Sequence, residues 1–404
     1  MIFAIVLLYG CTGRNRNNPL DPQNPETEGK VQGLDIVSEY NRVSLKWKSL
    51  SSDYAVHYQI YRKQIEQIEY QHIGLTGVPS FQDSGLILGA PVHYRVSALT
   101  GTQYESPLSD SVTITPGPHD YWVADYYGER IVRLTYDAQH ILDDIQGFYL
   151  PVDIAVDTTT EEIWALNRRD GELLKLVHGQ IEDRIGGFHN PRLLTLDPYN
   201  QMIWIVQDSL REIVRVDYHG RLIDKLRGFG RITDISWAGL NLGCWVVDAD
   251  SNSVDLISPD KKWTLHTDFE NPLGVDAHQQ DGWAWIADHS QLYQAKLNGE
   301  FNSKYHVENG EIISLSLDHT NSNCWIVIRT DEDSEYHIQK INVHGELLCS
   351  QSGFGEVFEI LANPFDGGCI IADYLWGQIV RLSAEGEIIS RYQGFISPIG
   401  LSIG

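Results

Sequence analysis

The sequence lacks the features of several protein classes. Its 30 lysines and arginines face 55 aspartates and glutamates, giving a formal net charge of −25. A surface this acidic repels phosphate backbones and so disfavours nucleic acid as a partner. The apolar run at residues 1–11 is too short to span a bilayer as a helix. No His-x-His or His-Glu-x-x-His motif is present, so no metal and no cofactor is predicted.

Cysteine is also scarce, with four residues after Cys11. They form no Cys-x-x-Cys pair and no zinc-ligand spacing. Three of them directly precede a tryptophan or its equivalent in different repeats, where they would be too far apart to form disulfides. We therefore expect buried free thiols. The four are Cys244, Cys324, Cys349 and Cys369.

A tryptophan-containing segment recurs seven times in residues 119–404. Each copy is a short apolar strand, and successive copies are 42, 40, 41, 40, 40 and 45 residues apart. A period near 40 built from strands is typical of a β-propeller. Because a large flat side chain can fill the wedge between two twisted sheets, we expect these tryptophans to be buried. The copies are centred on Trp122, Trp164, Trp204, Trp245, Trp285, Trp325 and Ile370.

Each repeat contains enough alternating segments for a four-stranded sheet. We predict that the unit beginning at Ile163 ends with a fourth strand at residues 193–197, which recurs in the other repeats. The chain enters this region on the Trp122 strand and leaves on a strand of the fourth type. We therefore predict that residues 398–404 complete the sheet begun by residues 121–149. Such closure would remove exposed sheet edges.

The repeat reads Pro-x-x-Ile-Ala-Val-Asp, then Ile-Trp and an acid-terminated strand, then Ile-Val-Arg-Leu. The last motif stands at residues 130–134, 213–216 and 379–382. This pattern resembles the NHL-type propeller family, many of whose members have six blades where seven units are counted here. The resemblance implies an all-β propeller over residues 119–404. The family includes binding scaffolds and a few lyases and hydrolases, so the resemblance names no single reaction.

Residues 31–116 do not share the repeat and read as a small β-sandwich of short alternating strands. They resemble a fibronectin type III domain. Trp47 matches the core tryptophan of that family, and Tyr94 matches the tyrosine that hydrogen-bonds back across a corner. The fold class is therefore all-β, with a sandwich followed by a seven-bladed propeller closed by the C-terminal strand. Pro116-Gly117-Pro118 marks the junction.

Residues 1–11 end in Leu-Tyr-Gly-Cys and resemble the lipobox of bacterial lipoproteins. The resemblance implies a signal ending at Cys11, which would carry the lipid, and an outer-membrane anchor facing the periplasm or the cell surface. An ordinary cleaved signal is the alternative. Residues 12–30 are rich in Asn, Pro and Gly, and we predict an extended polar tether.

Two acidic features admit a structural and a metal-binding interpretation. The acids ending the tryptophan strands, such as Asp125 and Asp288, would cap the following turns, because one acid per blade spreads them around a ring. Residues 330–335 contain Asp-x-Asp but lack the full calcium-loop pattern, which favours a surface loop.

In a propeller, the turns after the tryptophan strands and the connections into the fourth-type strands open on one face. Concentrated aromatic, basic and acidic side chains there predict a polar or carbohydrate-like ligand, or a protein partner. The alternative is that the loops are simply polar, with tyrosine and tryptophan packing between turns. The residues concerned are Tyr126, Tyr127, Arg168, Arg169, Asp208, Arg211, Asp250, His289, Arg329, Tyr374 and Trp376, with Tyr149, His189, Arg231 and Asn271 from the connections.

The favoured function is that of a binding or scaffold lipoprotein at the cell envelope. A second possibility is an envelope lyase or hydrolase that uses His189 or His289 as a base together with a divalent metal. A third is a structural spacer without a clustered aromatic surface. An enzyme needs an acid, a base and a metal that converge near the axis, whereas a binder needs only a broad aromatic and charged surface.

Overall fold

A computed structural model describes residues 17–39, 42–51, 54, 57–64, 67–258, 262–266, 269–330 and 335–404. Cys11 and most of the acidic loop at 330–335 lie outside this part of the chain. The chain divides into two compact units between Gly117 and Pro118. Strands and turns make up the described residues, and no helix among them could cross a membrane.

The first unit contains two antiparallel sheets. One has the order β1-β2-β5 and the other the order β4-β3-β6-β7. The period-two alternation of the sequence predicts four strands, at residues 43–47, 57–62, 92–98 and 111–115, which match β2, β3, β6 and β7; it missed β1, β4 and β5. The strands are β1 (Asp35–Glu39), β2 (Arg42–Lys46), β3 (His57–Lys63), β4 (Gln71–Thr76), β5 (Ser80–Ser84), β6 (Val92–Leu99) and β7 (Val112–Ile114).

Aromatic side chains fill the space between these two sheets. Trp47 is buried and packs edge-to-face on Tyr58 with ring centroids 5.2 Å apart. The buried Tyr94 donates a 2.6 Å hydrogen bond to the Asp83 carboxylate, which also pairs with Arg62 at 2.9 Å. Burial, reinforced by that carboxylate, raises the pKa of Tyr94 far above its ordinary value. The predicted corner tyrosine therefore binds a side chain on β5.

Residues 17–30 are not extended, in contrast to the predicted tether. They form consecutive turns, in which Thr27 Oγ1 donates to the Pro19 carbonyl at 2.7 Å and the Asn24 amide donates to the Asn18 carbonyl at 3.0 Å. Leu20 is buried in the core of the sandwich. Asn and Pro favour turns as well as flexible chain. The burial of Leu20 packs this segment against the core of the first unit.

The second unit consists of seven four-stranded antiparallel sheets, numbered 1 to 7 from the Trp122 sheet onward. Sheets 1 to 3 contain β8 (Tyr121–Asp125), β9 (Arg130–Leu134) and β10 (Ile141–Gln146); β11 (Pro151–Asp157), β12 (Glu162–Asn167), β13 (Glu172–Val177) and β14 (Gln180–Gly186); and β15 (Pro191–Asp197), β16 (Met202–Gln207), β17 (Glu212–Asp217) and β18 (Leu222–Leu226).

The remaining strands follow the same order. Sheets 4 to 7 contain β19 (Ile232–Trp237), β20 (Cys244–Asp248), β21 (Ser253–Ile257) and β22 (Lys262–His266); β23 (Pro272–Ala277), β24 (Ala284–Asp288), β25 (Gln291–Ala295) and β26 (Phe301–His306); β27 (Gly310–Asp318), β28 (Asn323–Thr330), β29 (Tyr336–Ile341) and β30 (Leu347–Phe354); and β31 (Val357–Ala362), β32 (Cys369–Asp373), β33 (Gln378–Leu382) and β34 (Ile388–Gln393). The last strand, β35 (Pro398–Ile403), pairs with β8 in sheet 1.

The predicted grouping of strands within a repeat is wrong in one respect. β15 was assigned to the unit of Trp164, but it pairs with β16, the tryptophan strand that follows it. A turn of four residues joins these two strands, and so short a connection favours an antiparallel hairpin. Each sheet therefore begins with the fourth-type strand, which we call the first strand. In sheet 1 the first strand is β35.

The tryptophans are buried, as the repeat predicts. The third strand often places a basic residue directly across from them. Arg215 pairs with Trp204 in the register and lies 4.7 Å from its ring centroid, and Lys340 lies 5.0 Å from that of Trp325. Such a cation over an indole adds an electrostatic attraction to the apolar packing. The arginine of the Ile-Val-Arg-Leu motif, Arg215 in sheet 3, therefore packs on the ring of the buried tryptophan.

Polar side chains link the first strand of each sheet to the first strand of the next. Asp153 accepts the Leu194 amide at 2.7 Å, and Ser402 of β35 accepts the Val156 amide at 3.1 Å. These bonds tie neighbouring sheets together along the whole series, including sheet 7 to β35. The others join Asp234 to Val275, Asp276 to Leu317, Ser316 to Ala362, Glu359 to Leu401, and the Arg192 guanidinium to the Ile232 and Thr233 carbonyls.

The four cysteines in the described part of the chain are free. Cys244, Cys324 and Cys369 are buried, and Cys349 is half-buried. Burial raises the pKa of all four thiols, so they pack as small apolar residues.

Candidate ligand-binding face

Backbone hydrogen bonds bring the two predicted sets of loops together at one edge of each sheet. The turn after the tryptophan strand donates to the connection that enters the first strand of the same sheet. Examples are Arg168 N to Leu150 O at 3.1 Å and Ala249 N to Arg231 O at 2.9 Å. The same contact recurs at Tyr126, Asp208, His289 and Tyr374. Within each of these sheets, the two predicted sets of loops therefore lie at the same edge. We call this edge the binding face.

The polar residues that end the tryptophan strands hold this edge in shape. Asp125 accepts the Ser397 amide at 2.7 Å, and Asp288 accepts the Asn271 amide at 2.7 Å. Asn167, Gln207, Asp248 and Asp373 make equivalent bonds. We expected these acids to cap the turn that follows, and two of them do, because Asp248 accepts the Ser251 amide and Asp373 accepts the Trp376 amide, each at 3.2 Å. The sequence analysis missed the partner that all of them share, the connection at the start of the same sheet, because it is distant along the chain. The structural interpretation of the acids holds, with this addition.

Arginines and aspartates form two groups of ion pairs on sheets 2 to 4. Asp208 pairs with Arg168 at 3.5 Å and with Arg192 at 2.8 Å. Asp250 pairs with Arg211 at 3.2 Å and with Arg231 at 3.9 Å. Four of these six residues belong to the main predicted set, and Arg231 to the connections.

The sequence analysis missed Arg192, which binds the backbone of the next sheet as well as Asp208. Arg192 occupies the β-bulge of its first strand, where the other sheets carry uncharged residues, so alignment of the repeats could have found it; those residues are Val152, Thr233, Leu273, Ile313, Phe358 and Ile399.

Aromatic and apolar side chains form the other part of the binding face, on sheets 7 and 1. Tyr126 and Tyr127 pack edge-to-face at 4.7 Å, and Phe358 lies 6.0 Å from Tyr374. Tyr126 and Tyr374 pack against the same apolar cluster. Tyr127 is 58% exposed and Trp376 is 51% exposed. The sequence analysis missed the exposed Phe358, Leu375 and Ile396. We call the residues named here the aromatic patch.

The two candidate histidines occupy different surroundings. The backbone amide of His189 donates to the Gln207 side chain in sheet 3. The His289 Nδ1 atom lies 3.6 Å from Glu311, which also pairs with Arg329. The structure thus connects the predicted His289 and Arg329 through a glutamate that the sequence analysis missed.

Of the predicted residues, Arg169 and Tyr149 meet in sheet 2. The Arg169 guanidinium lies 5.9 Å from the Tyr149 ring centroid and 3.9 Å from Glu129. Asn271 accepts from Arg231 at 3.4 Å. Among the described residues, no group of three His, Cys, Asp or Glu side chains is arranged to hold a metal ion.

Acidic side chains also lie on the first strands. Burial raises the pKa of Asp153 and of Asp234 to about 7. Burial also raises the pKa of Glu359 well above its usual range, and the neighbouring Asp153 raises it further. These side chains are only partly exposed, and the surrounding protein disfavours their charged form. Their bonds to backbone amides explain them as links between sheets.

Comparison with known proteins identifies a fold but not a family. No protein-family model and no curated protein matches the chain. Among solved structures, a protein from Desulfotomaculum acetoxidans has a TM-score of 0.59 at 14% identity, covering 70% of this chain and 98% of that one. Virginiamycin B lyase from Staphylococcus aureus has a TM-score of 0.53 at 14% identity, covering 62% and 87%.

A putative 6-phosphogluconolactonase from Bacteroides fragilis has a TM-score of 0.57 at 11% identity, covering 71% of this chain and 98% of that one. Similarity at such low identity indicates shared architecture only. The chain is therefore an all-β protein with a propeller-like fold.

Proposed function

We propose that the protein is a binding or scaffold lipoprotein of the cell envelope that holds a protein or carbohydrate-like ligand on its binding face. The observation that carries the proposal is the aromatic patch. Phe358, Leu375, Trp376 and Ile396 expose apolar surface beside Tyr127, and clustered exposed aromatic side chains are characteristic of recognition surfaces. The paired arginines of sheets 2 to 4 provide a polar border, as binding interfaces commonly have.

Site-specific photo-crosslinking in the native cell tests this proposal. A photoreactive amino acid in place of Trp376 should give discrete adducts, because that side chain lies in the aromatic patch. The same amino acid in place of Leu240 is the matched control, since Leu240 is equally apolar and exposed but lies in the turn after the first strand of sheet 4. Absence of adducts at position 376, or equal adducts at both positions, would contradict the proposal.

We further infer that the seven sheets are the blades of one propeller, which β35 closes. The side-chain bonds between successive first strands support this inference, as does the pairing of β35 with β8. Removal of residues 398–404 would expose the edge of β8 and break the links that Ser402 and Glu359 make. We expect a lower melting temperature and a broader transition by calorimetry. An unchanged transition would disprove closure by this strand.

We also propose that the first unit is a fibronectin type III-like module that lies in the chain between the propeller and a lipid anchor at Cys11. Its two sheets, the buried Trp47 and the buried Tyr94 support the module, and the lipobox-like sequence supports the anchor. Metabolic labelling with an alkyne fatty acid should mark the wild type and not Cys11→Ala. Equal labelling of both would refute the anchor.

An envelope lyase or hydrolase that uses a histidine and a divalent metal is the second candidate. The pairing of His289 with Glu311 on the binding face is the observation in its favour. Metal analysis of the purified protein separates the two functions. A stoichiometric divalent ion that is lost in His289→Ala would favour the enzyme over the binding protein.

A further inference from the structure

Charge is distributed unevenly along the binding face. In sheets 2 to 4 the charged loops of this face are residues 168–171, 208–211, 227–231 and 249–252, and they contain five arginines and three aspartates. The described residues of the corresponding loops in sheets 5, 6, 7 and 1 contain five glutamates and no lysine or arginine. Those glutamates are Glu129, Glu270, Glu308, Glu335 and Glu356. The face is therefore positive on sheets 2 to 4, in a chain whose formal net charge is −25.

The two groups of ion pairs on sheets 2 to 4 each contain two arginines and one aspartate. Because one carboxylate balances one guanidinium, each group keeps one positive charge in excess. A third acid, Glu212, is likewise shared by Lys225 and Arg227. The first group is Arg168, Arg192 and Asp208, and the second group is Arg211, Arg231 and Asp250.

The second group presents its guanidinium groups to solvent. The Arg211 side chain is 62% exposed, with its Nη1 atom 3.2 Å from Asp250. The Arg231 side chain is 57% exposed, with its Nε atom 3.9 Å from the same carboxylate. A guanidinium carries five N–H donors, so side chains this exposed keep donors for a ligand. In the first group, by contrast, Arg192 donates to the Ile232 and Thr233 carbonyls and is held in place by them.

Neutral hydrogen-bonding side chains and one aromatic ring lie beside these charges. Asn190 accepts the Arg168 Nε–H at 2.6 Å, and Asn271 accepts from Arg231 at 3.4 Å. The exposed Tyr149 ring lies 5.9 Å from the Arg169 guanidinium. The positive part of the face thus combines cations, acceptors and an aromatic surface.

This combination selects among ligand classes. A guanidinium can donate two parallel hydrogen bonds to a carboxylate, which would also balance the excess charge of a group. The aspartates in both groups remain acceptors, and hydroxyl groups can donate to them. A sugar ring that bears a carboxylate offers both kinds of partner side by side. The side chains of an acidic peptide offer acceptors only, and they would place further carboxylates against Asp208 and Asp250.

The acidity of the whole protein does not prevent such binding. Charges separated by more than about 8 Å in solvent are largely screened at physiological ionic strength. A ligand that contacts Arg211 and Arg231 therefore experiences mainly the local excess of positive charge.

We infer that the positive part of the binding face, on sheets 2 to 4, binds a polysaccharide built from carboxylate-bearing sugars. This inference rests on the proposed function, because it names the ligand class for the same face. Arg211 and Arg231 would bind the carboxylates, and Asp250 and Asn271 would bind hydroxyl groups.

Binding of defined polymers to the purified full chain, followed by biolayer interferometry, tests the inference. Polygalacturonate, alginate and hyaluronate are separate probes, and the methyl ester of each removes its charge while keeping its rings. Poly-L-glutamate represents an acidic peptide. We expect at least one of the three polymers to bind, and its methyl ester and poly-L-glutamate to bind about tenfold more weakly or not at all. Failure of all three, or equal binding of the ester or of poly-L-glutamate, would overturn the inference.

Arg211→Gln and Arg231→Gln place the ligand. Each should weaken binding of that polymer by about fivefold, as expected for loss of one exposed charged contact. Arg221→Gln is the matched control, because Arg221 is 76% exposed and pairs with Asp217 but lies in the turn between β17 and β18, at the opposite edge of sheet 3. Undiminished binding by both Arg211→Gln and Arg231→Gln, or an equal loss in Arg221→Gln, would refute the site.

The photo-crosslinking test at Trp376 separates this inference from the proposed function. Adducts at position 376 without polymer binding would retain a binding face and overturn its assignment to a carboxylate-bearing polysaccharide. Polymer binding that depends on Arg211 and Arg231, without adducts at position 376, would support this inference and contradict a role for the aromatic patch.

Discussion

Sheets 3 and 4 bury the same residue of the repeat in two different ways. In sheet 3, Arg215 lies over the Trp204 ring, and the Trp204 Nε1 atom has no hydrogen-bond partner among the described residues. In sheet 4, Leu256 stands opposite Trp245, and the indole instead donates to the Gly282 carbonyl at 2.9 Å. The ring shape is common to both sites. The two sites differ in whether the indole Nε1–H donates a hydrogen bond and in whether a cation lies over the ring.

Three other tryptophans show one or both of these features. Trp164 resembles Trp204, with Lys175 over the ring and an unpartnered Nε1 atom in the described chain. Trp285 donates to the Ser322 carbonyl at 3.2 Å, as Trp245 does to Gly282. Trp325 has both features, because Lys340 covers its ring and Gly367 accepts its Nε1–H. A repeat can thus conserve a shape while each neighbour decides the polar contacts.

The largest effect should come from removing the rings themselves. Trp204→Ala and Trp245→Ala should each lower the free energy of unfolding by about 3–5 kcal/mol, because both leave a cavity between sheets. Chemical denaturation monitored by circular dichroism measures this. A loss below about 1 kcal/mol at either site would show that neighbouring sheets collapse into the space, and would contradict wedge packing.

A second test removes a cation where it is most deeply buried. Lys340 is 2% exposed and pairs with the fully buried Asp318 at 2.9 Å. Lys340→Met should lower the free energy of unfolding by about 3 kcal/mol, because it leaves that carboxylate unpaired. The double variant Lys340→Met with Asp318→Asn should recover much of the loss. Equal instability of the single and double variants would show that packing on Trp325, and not charge, is what Lys340 supplies.

A third test addresses the polar edge of the indole directly. Trp245→Phe removes a donor and leaves the Gly282 carbonyl without it, whereas Trp204→Phe removes no hydrogen bond. We expect Trp245→Phe to cost about 1 kcal/mol more than Trp204→Phe in the same unfolding assay. Equal costs would remove the distinction between the two kinds of site.

The smallest effect concerns the links that sheets 3 and 4 make to their neighbours. Sheet 3 uses the Arg192 cation, whereas sheet 4 uses Asp234, whose pKa burial raises to about 7. A raised pKa means that the folded state binds the proton more tightly than the unfolded chain. The contribution of this group to stability should therefore be fully present below about pH 4, fall as the pH rises towards 7, and stay constant above that.

Asp234→Asn isolates this contribution from the many surface carboxylates. The variant should lose less stability than the wild type between about pH 4 and pH 7. Because solvent screens this partly exposed side chain, we expect a difference on the order of 1 kcal/mol, well below the full value of the pKa shift. Thermal unfolding across that range measures it. Parallel profiles for the two proteins would mean that Asp234 titrates at its ordinary value.

Much of the fold is predictable from the sequence because the same strand pattern recurs in each repeat. The tryptophan strands were predictable from their spacing, and the common edge of the loops followed from strand order. The grouping of β15 with the preceding sheet was wrong because period alone does not fix where one sheet ends. The turns at residues 17–30 were missed because Asn and Pro serve folded turns and flexible chain equally well.

The candidate sites were harder to predict. Arg168, Asp208, Arg211 and Asp250 were predicted singly, but their ion pairs cross between sheets and depend on side-chain positions. Glu311 was missed because no local motif marks a residue that joins His289 to Arg329.

The sequence by itself determined an all-β chain with a repeated, tryptophan-bearing sheet and a separate module before it. Those features depend on a local periodicity that recurs in each repeat of the sequence. Only the tertiary structure decided which amides the strand-end acids bind and which tryptophans receive a cation. Both depend on contacts between residues of different strands and loops, where packing and desolvation outweigh local preference.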